Sequence, residues 1–276
     1  MIEKLRSILI ANWHTLSHGS EMPEPEKLRV TKFCQRIVQP HTKVLFLITY
    51  KKQPLCIIKM MRGEAFNENL RIEKNAQQSV QSSGFILVPS VYFDGYIDRF
   101  YIYAEEVVEG VPPTKQAVAH NIKEIIQFIQ QFPSYKTVAT ASIVSVLEQH
   151  IPEDSKHIKE HVDYLRKSDA VLKQGFTHGD FARPNLLASG NRVFVIDWER
   201  AGERPFWLMD AVRLLVRIKN VRNSNEWLEK GSPLLCQYTG VTSEETVALY
   251  HLFIIFEILY RKYPDTYDSV SNVLKI

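Results

Sequence analysis

The chain has 276 residues, 45% of them hydrophobic and 24% charged, enough for one large domain or two lobes with separate cores and too apolar for a disordered chain. Its net charge is +3 with lysine and arginine scattered along its length, so the concentrated basic run of a dedicated nucleic-acid binder is missing. Three isolated cysteines, Cys34, Cys56 and Cys236, form no CxxC pair; they indicate neither a disulfide framework nor a zinc site and fit buried thiols in a reducing, cytoplasmic setting.

The N-terminal MIEKLRSILIANWH is a short apolar patch with no cleavage site behind it, so it is not read as a secretory signal. VLFLITY (44–50) and LCIIKMM (55–61) flank the polar turn KKQP and predict an antiparallel hairpin. A polar, helix-compatible stretch follows from Glu64 to about Ser82, ahead of Ser83-Gly84, and carries Glu64, Glu68 and Glu73. VPSVYFDG and RFYIYAEEVVEG supply two more strands, with the turn expected around Gly95-Tyr96-Ile97-Asp98. Strand pair, helix, strand pair predicts a small antiparallel sheet with one helix.

Beyond the Gly-Val-Pro-Pro of residues 110–113 the pattern turns helical. NIKEIIQFIQQF sets Ile122, Ile125, Ile126 and Ile129 on one helical face. ASIVSVLEQHI, SKHIKEHVDYLRKS, PFWLMDAVRLLVRIKN and residues 244–263 predict further helices. VALYHLFIIFEILY (247–260) is short for a membrane span and contains His251 and Glu257, so a buried core helix is expected. One stretch departs from this pattern: NLLASGNRVFVIDWE is two apolar runs around Ser189-Gly190-Asn191, a second small hairpin. The expected architecture is α+β and two-lobed. An N-terminal lobe of residues 1–110 holds the antiparallel sheet and one helix; a larger, mainly helical lobe spans 111–276.

Chemistry concentrates in residues 176–187, FTHGDFARPNLL, with DWE at 197–199. A hairpin brings its two ends together, so Asn185 at the entry and Asp197 at the exit are expected to reach one point. Carboxylate and amide oxygens suit Mg²⁺, a hard cation that keeps part of its shell for water and phosphate. Asp180, on the loop before the hairpin, is placed to take a proton from an attacking hydroxyl. Lys59, in the apolar strand CIIKMM, must either run out to solvent or point into a cleft and pair, with Glu73 the natural partner and Glu68 its competitor. Trp13, Trp207 and Trp227 are assigned to packing, and Arg213 and Arg217, one helical turn apart, to a solvated face.

HGDFARPN followed by VIDWE resembles the aminoglycoside phosphotransferase/choline kinase family of the protein-kinase-like superfamily, over residues from about Val30 to Tyr263. The resemblance implies an ATP- and Mg²⁺-dependent phosphotransferase acting on a small-molecule hydroxyl: a sugar, an amino alcohol or an aminoglycoside-like compound. It implies Asp180 as catalytic base, Asn185 and Asp197 as Mg²⁺ ligands, Lys59 on the α- and β-phosphates and Glu73 as its ion-pair partner. The backbone at Glu106 and Val108, in the segment joining the lobes, would meet adenine. Asp210 would brace the catalytic loop, and His178 would hold that loop by hydrogen bonds. One departure stands out: the loop that carries glycine over the phosphates in the family reads QPHT here. Residues 201–276 carry nine acidic and nine basic residues, so no acidic surplus awaits a polycationic acceptor. A catalytically idle nucleotide-binding scaffold or sensor is the alternative; protein-kinase activity ranks last, with neither Asp-Phe-Gly nor Ala-Pro-Glu after Asp197.

Overall fold

The structure is a computed structural model describing residues 1–16, 24–34, 43–80, 86–152, 155–202 and 206–274, with the main chain alone at 25, 33 and 34. The QPHT loop and Ser83-Gly84 lie outside the described residues, as does the side chain of Cys34. In chain order, α1 (Ile2–Ala11) and α2 (Trp13–Leu16) precede β1 (Leu28–Cys34), β2 (Lys43–Tyr50), β3 (Gln53–Met61), α3 (Asn67–Ser79), β4 (Ile86–Leu87), β5 (Val91–Ile97) and β6 (Phe100–Glu105). Then come α4 (Lys115–His120), α5 (Ile122–Gln130), β7 (Ser134–Ala139), α6 (Thr140–His150), α7 (Lys156–Arg166), β8 (Val171–Gly175), β9 (Leu186–Ser189) and β10 (Arg192–Val195). The chain ends with α8 (Met209–Lys219), α9 (Ser224–Lys230), α10 (Ser232–Thr239), α11 (Ser243–Lys262) and α12 (Pro264–Leu274).

Two compact units result: Met1–Val111 with Leu187–Glu199, and Pro112–Leu186 with Arg200–Ile276. A single cut at residue 110 therefore leaves out one segment, the β9–β10 hairpin, whose strand β10 pairs in parallel with β4 through Val193 and Phe194.

The first unit is built on an antiparallel sheet of order β1-β2-β3-β6-β5. Strict alternation along β2 and β3 sends Val44, Phe46, Ile48, Cys56, Ile58 and Met60 to one face, where Leu5 and Leu9 of α1 and Trp13 of α2 close the core. At about 1.5–3 kcal/mol per buried aliphatic or aromatic side chain, this face anchors the N-terminal helices that the sequence pattern left as a patch. The opposite face presents Met61, Tyr101 and Tyr103 to Leu70 of α3. Lys59 is odd-numbered like Met61, and therefore belongs to the α3 side.

Two turns refine the expected boundaries. β2 and β3 are joined by Lys51 and Lys52, both left-handed at φ 50° and 69°, so KKQP contributes only its first two residues to the turn. The β5–β6 hairpin turns at Asp98 (φ 55°), the last residue of the expected Gly95–Asp98 turn, while Gly95 pairs with Ile102 inside β5. A side-chain oxygen makes aspartate tolerant of that conformation. The α3 stretch opens with a 3-10 turn, Glu64–Phe66, and its helix ends at Ser79.

The second unit packs helices around one face of α11, where Leu252, Ile255, Phe256 and Leu259 are inaccessible. Thr242 and Glu245 form a capping box at its start, each side chain bonded to the other's backbone N–H. Ile122, Ile125, Ile126 and Ile129 of α5 are buried together as the periodicity predicts. α8 starts at Met209, after a left-handed Leu208 (φ 69°), so the helix expected from PFWL onward begins later: Phe206, Trp207 and Leu208 are not helical, and Pro205 lies outside the described residues. A two-stranded pair, β7 with β8, was not anticipated; β7 is polar and mostly exposed, and a strand that faces water carries no apolar alternation. Among the described residues no helix is long and apolar enough to cross a membrane.

Candidate active site

In the first unit, Lys59 is 6% exposed and its ammonium is held 2.8 Å from Glu73 on α3 and 2.8 Å from Glu105 at the end of β6. Glu68 is exposed and faces Arg71 instead, so the competition between the two glutamates resolves to Glu73. Helical geometry explains the choice: Glu73 lies on the buried face of α3 with Leu70, Ala76 and Gln77. Burial alone would pull the Lys59 ammonium down, but Glu105 and Glu73 more than offset it and hold it charged. Burial pushes the Glu73 carboxyl up, and Lys59 and Lys43 together bring it down to about 2. Glu105 moves upward through burial, relieved only in part by Lys59.

A second lysine joins this cluster. Lys43, the first residue of β2, binds Glu73 at 3.2 Å, Glu199 at 2.9 Å and the carboxylate of Asp197. Asp197 adopts a left-handed backbone, φ 66°, two residues beyond β10. Lys59 and Lys43 face Glu73, Glu105, Asp197 and Glu199: two ammonium groups against four carboxylates. The cluster is formally two charges negative, and its donors around Asp197 are hard oxygens. Oxygens of this kind suit Mg²⁺, but among the described residues no three His, Cys, Asp or Glu side chains are grouped to hold a metal ion. Glu106 N–H donates to the Ser90 carbonyl at 2.9 Å, which fixes the segment running on to Val108.

In the second unit, the loop that carries Asp180 is held from several directions. Asp210, 1% exposed in the first turn of α8, accepts the backbone N–H of His178 at 2.6 Å and of Gly179 at 3.2 Å. The Asp180 N–H donates to His178 Nδ1 at 3.3 Å, and the His178 ring is fully buried. Gly179 has φ +80°, and a Cβ there would stand 1.9 Å from the Arg200 carbonyl oxygen, so only glycine fits. Asn185 closes the 3-10 turn Arg183–Asn185; its Nδ2 donates to the Asp180 carbonyl at 2.9 Å and to Asp180 Oδ2 at 3.1 Å. Both bonds use the amide nitrogen, which turns the oxygen, the atom a metal needs, away from them.

Arg213 of α8 binds Asp180 Oδ1 through Nη2 and Glu257 of α11 through Nη1 at 2.6 Å. Its side chain is 11% exposed, so the solvated face expected from the sequence holds for Arg217, at 52%, and not for Arg213. Arg213, Lys43 and Glu105 are the residues sequence reasoning missed. Arg213 sits four residues short of an exposed arginine, and only the identity of what faces it separates the two. Lys43 had one signal, its place directly after the QPHT loop. Trp13 and Trp227 are buried as packing residues, Trp227 stacked on Tyr250. Trp207 lies under the Lys173 ammonium, 4.7 Å from its ring centre.

An antiparallel sheet with a buried lysine–glutamate pair on its helix-bearing face, and a mainly helical unit with an anchored aspartate loop, define an α+β protein of the kinase-like class. The phosphotransferase enzyme family matches residues 57–229, and the chain belongs to that family. Among solved structures it is similar to a thermostable mutant of the aminoglycoside phosphotransferase APH(4)-Ia in a ternary complex with AMP-PNP and hygromycin B. There the TM-score is 0.56 at 14% identity, over 90% of this chain and 92% of that one. A putative fructosamine-3-kinase from Haemophilus somnus 129PT gives 0.54 at 12% identity, covering 96% of each chain. The macrolide 2'-phosphotransferase MphH from Brachybacterium faecium also gives 0.54 at 12%, covering 97% of each. At such identities the likeness is one of fold. No curated protein matches the chain in sequence.

Proposed function

We propose that the protein is an ATP-dependent phosphotransferase that phosphorylates a hydroxyl of a small molecule, with its nucleotide-binding residues in 1–110 and its catalytic and acceptor-binding residues, Asp197 among them, in 111–276. The observation that carries this reading is the Asp180 loop. A carboxylate 32% exposed sits on a backbone fixed by Asp210, His178 and Asn185, ready to accept a hydrogen bond without reorganising. In this reading Asp180 orients the acceptor hydroxyl and takes its proton. Lys59, kept charged and in place by Glu73 and Glu105, meets the non-transferred phosphates. The backbone of Glu106 and Val108 receives the adenine. Asn185 and Asp197 would hold Mg²⁺, which when bound neutralises phosphate oxygens in phosphoryl transfer.

One observation favours the idle scaffold: the Lys43 ammonium lies on Asp197, where a divalent cation would have to compete with it. Thermal unfolding of the full chain with and without ATP and Mg²⁺ decides between the two. Ligand at a hundredfold excess over its dissociation constant adds about 2.7 kcal/mol, a rise of roughly 5–10 °C for a chain of this size. A rise that needs both ATP and Mg²⁺ and shrinks in Asp197→Ala supports the enzyme when ADP release in the presence of acceptor alcohols accompanies it. No rise at millimolar ATP overturns the enzyme reading.

A further inference from the structure

The second unit separates its charges between two concavities at opposite ends of α11. Near its N-terminus, Glu160, Asp163 and Glu244 line one concavity together with Lys167, the one cation among the described lining residues. Near its C-terminus, a groove of about 580 Å³ is lined by Arg217, Arg222, Arg261 and Lys262, over a floor that includes Phe253 and Ile254. Among the described residues its one carboxylate is Glu257, which accepts from Arg213 at 2.6 Å, from Arg217 at 3.4 Å and from Arg261 at 3.1 Å. The groove lining is therefore formally three charges positive, around a carboxylate already engaged by three guanidinium groups.

The groove is tied to the candidate base. Glu257 lines it and shares Arg213 with Asp180, and Arg217 lies one turn, about 5.4 Å, further along α8 than Arg213. Cations near helix C-termini complement the helix dipole, which accounts for Arg217 in the last turn of α8 and for Arg261 and Lys262 in the last turn of α11. It does not account for Arg222, which lies beyond α8, nor for four cations converging on one groove. Resting on the phosphotransferase reading, we propose that the acceptor is an anionic alcohol, carrying a carboxylate or a phosphate, whose charged group sits among Arg217, Arg222, Arg261 and Lys262 while its hydroxyl meets Asp180. A polycationic acceptor would be drawn to the acidic concavity at the far end of α11, away from Asp180. Arginine forks match either anion in a bidentate manner, so the groove chemistry alone serves both.

Four probes on one sugar ring test this: glucose, glucosamine, glucuronate and glucose 6-phosphate, titrated calorimetrically into the full chain without nucleotide. The expected result is binding of at least one anion about tenfold or more tighter than glucose, with glucosamine weaker than glucose, and a loss of that preference at high salt. Glucuronate and glucose 6-phosphate then separate the carboxylate source from the phosphate source. The double variant Arg222→Gln/Lys262→Gln, both exposed positions, should unfold at the wild-type temperature and lose most of the preference. Glucose or glucosamine bound as tightly as the anions, no binding of any of the four, or an anion preference unchanged in the double variant overturns the proposal. The outcome stays separable from the enzyme reading. A chain that binds ATP with Mg²⁺ but prefers glucosamine defeats this inference alone; a chain indifferent to ATP defeats the enzyme reading, whatever the sugars do.

Discussion

Arg213 holds Asp180 with one guanidinium nitrogen and Glu257 with the other, so the candidate base and a carboxylate of α11 share a single, nearly buried cation. Removing the cation takes the arginine from Asp180 and leaves Glu257 with the more exposed Arg217 and Arg261. Arg213→Met is expected to cost about 3–5 kcal/mol, the range for breaking one side of a buried pair. Urea unfolding measures it; a loss under 1 kcal/mol would show that the pair is solvated and that Asp180 is not held by Arg213.

Asp180→Asn preserves size and the bond from Asn185, and removes the base. Turnover should fall by about 10²- to 10⁴-fold, while the ATP-dependent rise in unfolding temperature is retained. Equal loss of both would move Asp180 from proton transfer to nucleotide binding.

Glu73 sets an acid limb. Its carboxyl ionises at about 2 in the fold against an ordinary 4.5, so its contribution to stability is complete above about pH 4.5 and is lost as pH falls towards 2. Glu105, displaced upward by burial, works in the opposite sense, so the informative quantity is the difference between wild type and Glu73→Gln. That difference should be about 3–5 kcal/mol at neutral pH and should shrink steadily below pH 4.5. Lys59 is raised above 10.5, so its share survives to at least that pH and fades only above it. A wild-type-minus-variant curve flat from pH 7 to 2 would contradict the pairing.

His251 carries a second, independent pH dependence. Its Nδ1 lies 2.8 Å from His161 Nδ1 and its ring stacks on Tyr164 at 4.0 Å. Burial first, and His161 second, pull it from 6.5 to about 4. The unfolded chain therefore binds the proton more readily between those values, and stability should fall as pH drops from 6.5 to 4. One pKa unit corresponds to about 1.4 kcal/mol, so the loss is on the order of 3 kcal/mol. His251→Phe keeps the stack on Tyr164 and should flatten the stability profile in that window, as followed by chemical denaturation at each pH.

Lys43 neutralises Asp197 and Glu199, so Lys43→Ala should bind a divalent cation more tightly than wild type in the absence of nucleotide. On the order of tenfold is expected from releasing a short-range ion pair. Mn²⁺ titration followed by electron paramagnetic resonance reads this directly, and unchanged affinity would place the cation elsewhere.

Much of the site could be read from local pattern. Lys59 stands out because a lysine among CIIKMM needs a partner, and the next element offered Glu73 and Glu68, between which only the structure chose. Asp180, Asn185 and Asp197 announce themselves by oxygen-bearing side chains around a short hairpin. Arg213 could not be read this way. Its sequence neighbourhood matches that of Arg217, and an arginine on an amphipathic helix is by default a solvated one. Glu105 follows an apolar strand and gave no sign of facing inward.

Alternation, helical periodicity and turn chemistry are local properties, and the sequence by itself determined through them the hairpins, the helix faces and the identity of the oxygen-rich loop. Only the tertiary structure decided which charges face one another: Lys43 against Asp197, Arg213 between Asp180 and Glu257, four cations on one groove. Charge pairing falls steeply with distance and with solvent, and both are set by elements far apart in the chain. Arg213 and Asp180 are separated by 33 residues, Lys43 and Asp197 by 154. No window along the sequence spans such pairs, and packing alone brings them together.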